Sequence, residues 1–453
     1  MEGITVREIL EATQGILLCG DENTVIKAVC TDSTKIKEGD LFIPLLGEKH
    51  NAHVFIESAL EIGAATLTAE HYAISAKKPY IKVKDTMQAL QDIGRYARKR
   101  LSLPIVAVTG SVGKTTTRNM IATALRSKYR TFETLNNCNS QVGVPTMLCM
   151  ISPEDEIAVL ECGMSERGQI TILSDMVKPK YAVVSTIGVA HIEQLKTQEN
   201  IRDEKLSIID GLEENGVLFL NGDDPMLAEM KGRLPVHTLY YGTEDWCDYY
   251  ADHIQYDNGR SYFECVHDDE RVKVELSVLG KHNVLNCVGA LAVSHTHGIP
   301  LDVAAAEFAH FSGMRQNIIE LDNRFRVIDD TYNASPDSMR ASLDVLCQIE
   351  TEGRRIAVLG DMFELGDESE LYHYQVGEYL ATLPIDELIV VGTRAKQIRA
   401  AVLNSESKIK TYEFSENEEV AMYLLATLMP KDIVLIKGSN GMNMNEIVDL
   451  LKQ

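Results

Sequence analysis

The segment Val106-Ala107-Val108-Thr109-Gly110-Ser111-Val112-Gly113-Lys114-Thr115-Thr116-Thr117 constrains this chain more than any other. A run of apolar, mostly β-branched residues at 105–108 reads as a buried strand, and it enters a turn bracketed by two glycines. A helix follows from Lys114. Glycines let backbone N–H groups converge inside such a turn, and the helix N-terminus adds its partial positive charge, so the segment forms a cradle for phosphate. The lysine reaches the β/γ-phosphates and the Thr115 hydroxyl suits a Mg²⁺ ion. Val108 stands where the first glycine of the usual G-x-x-x-x-G-K-[ST] loop belongs, so the loop is the shorter G-x-x-G-K-T-T form anchored on Gly110. The expectation is an ATP site built from Thr109, Gly110, Ser111, Val112, Gly113, Lys114, Thr115 and Thr116.

With 453 residues, the chain has room for two or three domains. No apolar run reaches the ~20 residues of a membrane-spanning helix, and residues 1–10 lack the basic-then-apolar order of a signal peptide. Forty-four basic against 67 acidic residues give a net charge of −23, which disfavours nucleic acid and anionic membranes as partners. The nine cysteines form no C-x-x-C pair, as suits free thiols in a reducing compartment. A cytoplasmic location is the expectation.

The pattern divides into three blocks: 1–102, a small mixed α/β domain; 103–312, a mostly parallel sheet around the phosphate loop; and 313–453, a Rossmann-like, doubly wound unit. In the first block a strand is read at 41–45, a helix over 52–62 ending at Gly63, a strand at 80–83 and an amphipathic helix over 86–100. In the second, buried strands are read at 157–160, 181–185 and 216–220, with a more alternating, antiparallel insertion over 240–279. In the third, strands are read at 326–330, 355–360, 387–392 and 432–438.

Several polar residues sit where such sheets bind ligands. Glu161 follows the strand at 157–160, the position for a Mg²⁺-associated carboxylate beside a phosphate loop. His191 lies just past the strand at 181–185. Lys205 falls on a helix over 199–209, where spacing alone makes it a surface lysine. His282, Asn283 and Asn286 open a helix; the two amides suit an adenine edge, although Asn283 is equally a candidate N-cap. The run Asp329-Asp330-Thr331-Tyr332-Asn333-Ala334-Ser335-Pro336 ends a strand in a tight polar loop that could take ribose hydroxyls.

Together these segments resemble the Mur ligases, ATP-dependent amide-forming enzymes of peptidoglycan synthesis, over essentially the whole chain. The carriers are G-S-V-G-K-T-T-T, the N-x-x-x-G-V-P segment at 139–145, Ile187-Gly188 with His191-Ile192-Glu193, and Gly280 with His282-Asn283-Val284 and Asn286. The segments 330–336 (D-T-Y-N-A-S-P), 358–366 (V-L-G-D-M-F-E-L-G) and Lys437-Gly438-Ser439 resemble the branch that adds D-alanyl-D-alanine.

The resemblance implies that ATP phosphorylates the terminal carboxylate of UDP-N-acetylmuramoyl-tripeptide and that the amine of D-alanyl-D-alanine displaces the phosphate. It implies two Mg²⁺ ions, one at Thr115 and Glu161, the other at His191 and Lys205, with Lys205 open to carbamylation. Asn283 and Asn286 would face adenine, Asp330 and Asn333 the ribose side, and Arg315 the γ-phosphate. Asp32, Ser33, Thr34, Asn139 and Ser165 would meet the UDP-sugar peptide, and the enzyme would act as a monomer. A paralogous ligase joining another amine and carboxylate is the alternative, and a non-catalytic nucleotide-binding protein would not need Lys114, Glu161 and His191 together. Three family patterns differ here: D-S-R reads Asp32-Ser33-Thr34, D-G-H reads Asn51-Ala52-His53, and K-G-S-R-G-M reads Lys437-Gly438-Ser439-Asn440-Gly441-Met442.

Overall fold

Strand 105–108 is apolar at every position because both faces of its sheet are covered. Val106 and Val108 pack into one hydrophobic cluster and Ile105 and Ala107 into the other. The computed structural model describes residues 3–47, 50–70, 77–312, 317–321 and 325–452. Within them the chain forms three α/β units, each on its own main sheet, with a small two-stranded pair, Ile4–Thr5 and Val25–Ile26, beside the first.

The first sheet has five strands in the order Ile16–Cys19, Tyr80–Lys82, Ala65–Thr68, Asp40–Phe42 and Ala28–Cys30. The helix read over 52–62 is two pieces, a 3₁₀ turn Ala52–Phe55 and an α-helix Ile56–Ile62. The Asn51 side chain accepts the N–H of His53 at 3.0 Å, two residues on, and this local bond tightens the first turn. Gly63 ends the helix in extended backbone (φ −66°), so its role is close approach: a Cβ there would lie 3.1 Å from Ala59 O and Asp40 O. The helix Thr86–Lys99 is capped by Asp85, whose carboxylate accepts from Gln88 N at 2.8 Å. Its basic end fastens this domain to the next: Arg98 Nε donates to Val177 O at 2.6 Å and Arg95 Nε to Asp175 at 3.0 Å.

The central sheet has nine strands. Thr131–Glu133, Ile157–Glu161, Ile105–Thr109, Tyr181–Val184, Val217–Asn221 and His237–Gly242 lie parallel in that order. The stretch expected as a separate antiparallel insertion instead extends this sheet. Tyr249–Asp257 still runs parallel to its neighbour, and only Arg260–His267 and Glu270–Leu276 turn antiparallel. Their alternating pattern reflects one solvated face at the sheet's far edge. The helices Lys114–Arg126 and Lys281–Thr296 pack together over one face.

The third sheet runs Asn317–Leu321, Phe325–Asp330, Ile433–Lys437, Arg355–Gly360, Glu387–Val391 and Lys410–Phe414, all parallel except the first pair. Ile433–Lys437 inserts between Phe325–Asp330 and Arg355–Gly360. The carboxyl ends of three strands are thus neighbours at the point where the sheet order reverses, which is where open α/β sheets bind ligands. Val189 of the central domain is buried in the apolar cluster of this one, beside Met362 and Leu365.

Candidate functional site

The phosphate loop faces the third domain across a cleft of about 320 Å³. Ser111, Val112, Gly113, Lys114, Thr115 and Thr116 line one wall with His191, His282, Asn283 and Asn286. Asp330, Asn333, Glu364, Lys437 and Asn440 line the other.

Two glycines make the loop possible. Gly113 precedes the helix at φ +88° and Gly110 sits at φ +145°, a region that L side chains rarely adopt. A Cβ on Gly110 would also lie 1.9 Å from Ser185 Oγ, and one on Gly113 2.9 Å from Asn286 Oδ1. The loop is braced from the neighbouring strand end. Thr186 accepts from Ser111 N through its carbonyl (2.8 Å) and from Val112 N through its hydroxyl (3.2 Å), while Ser185 Oγ donates to Val112 O at 2.6 Å. Lys114 Nζ donates to Gly110 O at 2.8 Å and to Ser111 O at 3.3 Å, so the ammonium lies over its own loop. Thr109 and Gly110 themselves do not line the cleft. Thr109 is fully buried, and its carbonyl takes the N–H of Ser185 at 3.0 Å.

Glu161 is the last residue of its strand and is 2% exposed. Its Oε2 accepts from Thr115 Oγ1 at 2.9 Å and its Oε1 from Asn139 Nδ2 at 2.8 Å. A carboxylate and a hydroxyl meeting at a helix N-terminus beside a phosphate cradle are the hard oxygen donors that Mg²⁺ prefers, so the residues present fit that ion. Asn139, expected against the UDP-sugar peptide, here orients the carboxylate.

Lys205 corrects the reading from spacing. On the helix Gln198–Leu206 it is 1% exposed. Burial, with Lys114 nearby, pushes its ammonium well below the ordinary lysine range, opposed only by Glu204. Glu204 is itself committed to the start of another helix, accepting from Gly168 N at 2.7 Å and Ile170 N at 2.9 Å. The lysine does not line the cleft.

Asn283 is not an N-cap. Gly280 holds that position in the helix Lys281–Thr296, and Asn283 Nδ2 donates to Leu279 O at 2.6 Å. Asn286 Oδ1 accepts from Thr117 Oγ1 at 3.0 Å, tying this helix to the loop helix. Asp330 is 6% exposed, and its Oδ2 meets Lys437 Nζ at 2.7 Å and Ser342 Oγ at 2.5 Å. Lys437 also donates to Asn333 O at 3.0 Å. Arg315 lies outside the described residues.

Asp32 and Thr34 form a local turn, with Asp32 Oδ1 accepting from Thr34 N at 3.0 Å and Oγ1 at 2.7 Å. Those bonds and Lys35 hold the Asp32 carboxyl down at about 2. The exposed Ser165 donates its N–H to Gln169 at 2.8 Å. Neither segment, nor Ser33, lines the cleft. Asn51, where the family pattern has aspartate, caps the turn at His53 as an aspartate would. Asn440 Nδ2 donates to Tyr332 O at 3.2 Å.

Site residues that carry no chemistry-bearing pattern, and that only the resemblance flagged as a segment, come from the loop after Arg355–Gly360. Asp361, 6% exposed, turns inward, and its Oδ1 accepts from Arg394 N at 3.0 Å and Ala395 N at 2.7 Å. Phe363 N donates to Ser439 Oγ at 2.9 Å. These bonds carry Phe363, Glu364 and Leu365 to the cleft, where Glu364 Oε2 approaches His191 Nδ1 at 2.5 Å, off the ring's N–H axis. Asp361→Ala strands two backbone donors. It is expected to cost about 1–3 kcal/mol, read as a lowered midpoint in urea unfolding.

The chain is similar to known proteins along its length. Residues 25–98 match the Mur ligase family, catalytic domain; 108–294 match the Mur ligase middle domain; and 314–440 match the Mur ligase, glutamate ligase domain. The UDP-N-acetylmuramoyl-tripeptide–D-alanyl-D-alanine ligase of Bacillus subtilis is 35% identical over 99% of this chain and 98% of its own length. A crystal structure of MurF from Acinetobacter baumannii superimposes with a TM-score of 0.91 at 30% identity, covering 100% of both chains. The MurF ligase of Thermotoga maritima, solved in complex with ADP, gives 0.84 at 29% identity over 94% of this chain and 97% of that one. Three successive domain matches, full-length identity and a shared fold make one statement: this chain belongs to the Mur ligase family.

Proposed function

We propose that this protein is an ATP-dependent, ADP-forming ligase that joins D-alanyl-D-alanine to UDP-N-acetylmuramoyl-tripeptide in peptidoglycan precursor synthesis. One observation carries the reading: a phosphate loop and the polar strand ends of a second α/β domain share a single cleft, in a chain similar along its whole length to a curated ligase of that specificity.

The terminal carboxylate oxygen attacks the γ-phosphorus of ATP, forming an acyl phosphate and releasing ADP. The dipeptide amine then adds to the acyl carbon, loses a proton, and phosphate leaves with its bonding electrons. Such chemistry needs alignment and charge neutralisation more than a protein nucleophile. Lys114 supplies fixed positive charge at the β/γ-phosphates, and the loop N–H groups orient them. The polar wall at Asp330, Asn333 and Ser335 carries the opposite side of the nucleotide, with Asn283 and Asn286 towards adenine. Thr115 and Glu161 would hold one Mg²⁺ and His191 with a carbamylated Lys205 a second; bound there, the ions neutralise charge on the transferring phosphoryl group. No helix among the described residues is long and apolar enough to cross a membrane, as suits an enzyme of small, soluble precursors.

The test is phosphate release from ATP with Mg²⁺ and bicarbonate, supplying the tripeptide and dipeptide singly and together, with mass spectrometry of the product. Release and a pentapeptide product only when both are present is the expected result. Phosphate release with neither substrate, or with a different carboxylate–amine pair, overturns the assignment.

A further inference from the structure

Two loops from different domains meet at the mouth of the cleft, each bent at a residue that carries a side chain in glycine's usual territory. His191 has φ +63° and Glu364 φ +62°. Non-glycine residues persist in that region when their surroundings over-determine them, and they gather at functional sites. Here the two residues face one another, His191 Nδ1 lying 2.5 Å from Glu364 Oε2. Glu193 N donates to Glu364 O at 3.4 Å, and Val189 and Ile192 pack with Met362 and Leu365 beneath the contact. The Glu364 side chain is 52% exposed, so burial does not explain its placement. Its loop is pinned at the other end by the Asp361 carboxylate on Arg394 and Ala395.

We propose that Glu364 is a positioning residue for His191, supplied by the C-terminal domain to the central one. The negative charge 2.5 Å from Nδ1, off the ring's N–H axis, favours the tautomer that carries its proton on that nitrogen, leaving Nε2 as the lone-pair nitrogen available to the cleft that His191 lines. Because the carboxylate belongs to another domain, His191 is fully set only when the two domains are together. This inference rests on the proposed reading of the cleft as a ligase's ATP site, and it adds a residue outside the phosphate loop and the expected metal donors.

Full-length protein labelled with ¹⁵N-histidine, the His191 signal being assigned through His191→Gln, reports the tautomer directly in the presence of ADP. The wild type is expected to carry the proton on Nδ1. Glu364→Ala is expected to shift His191 towards the Nε2–H form, whereas Glu364→Gln, whose amide oxygen still accepts, retains Nδ1–H. Mn²⁺ titrated in the presence of ADP and followed by electron paramagnetic resonance is expected to bind Glu364→Ala about 10–100-fold more weakly, with Glu364→Gln between that variant and the wild type. In turnover, kcat should fall while KM for ATP stays within a few-fold. Wild-type tautomer and Mn²⁺ affinity in a folded Glu364→Ala overturn the proposal. The spectroscopic arms use neither tripeptide nor dipeptide, so they succeed or fail independently of the substrate assignment.

Discussion

Lys114→Met lowers kcat for substrate-dependent phosphate release by about 10³-fold, the upper end for losing one preorganised electrostatic group, while the protein keeps its fold. In the folded state the ammonium bridges the carbonyls of Gly110 and Ser111. Losing those bonds costs about 1 kcal/mol. The nucleotide asks much more. A chain of net charge −23 must place a cation deliberately to receive a triphosphate, and on the proposed reading Lys114 is the cation that the loop offers to the charge developing during transfer. Lys437, in the same cleft, is the contrast. It is 2% exposed and paired with Asp330 at 2.7 Å, so its charge serves the packing of the third domain. A single-turnover measurement of phosphate release, with ADP affinity and thermal unfolding as companions, checks the expectation. A loss of stability matching the loss of rate would make Lys114 a structural lysine instead.

How far the site could be read from the chain depended on the range of the forces involved. The phosphate loop was legible because its causes are local: glycines at positive φ, a fully apolar strand before them, and a helix start after them. Glu161 was legible because the end of a buried strand is a position that sequence can mark. Lys205 was not, as periodicity sorts residues by polarity and places a lysine outside. What buries it is tertiary: Glu204 turns to the start of the helix Gln169–Val177, and Lys205 beside it is 1% exposed. The edge strands Thr131–Glu133 and Lys410–Phe414 escaped notice for a related reason. An edge strand lies at the margin of the sheet with one side unpaired, so its sequence carries polar residues and lacks the continuous apolar run of 157–160 or 433–436. The contact between His191 and Glu364 joins loops of two domains, and no spacing within either segment encodes it. The resemblance marked the Asp361 loop as distinctive, and the geometry supplies a physical reason: its aspartate anchors the turn and its glutamate leaves it.

Lys205→Met separates stability from activity at the one lysine whose burial contradicts its chemistry. Methionine keeps the volume of the stem and removes a group that pays for desolvation, so the unfolding midpoint should hold or rise. The rate should nevertheless fall by about 10²-fold or more, because the carbamate proposed to hold the second ion is lost. The link is the protonation state. Burial and the neighbouring Lys114 hold the ammonium well below its ordinary range, so far more of this side chain is neutral amine near pH 8 than on a surface lysine. Neutral amine adds to CO₂, forming a nitrogen–carbon bond and releasing one proton, and the product carries a carboxylate where a cation stood. That inversion removes the repulsion from Lys114 and creates an oxygen donor suited to a hard divalent cation. With ¹³C-labelled bicarbonate the wild type should show a carbamate carbon resonance that Lys205→Met lacks, and bicarbonate depletion should slow the wild type while leaving the variant's residual rate unchanged. A wild type with no carbamate signal, and a rate indifferent to bicarbonate, would leave Lys205 as a buried neutral amine, with its charge changed by its surroundings alone.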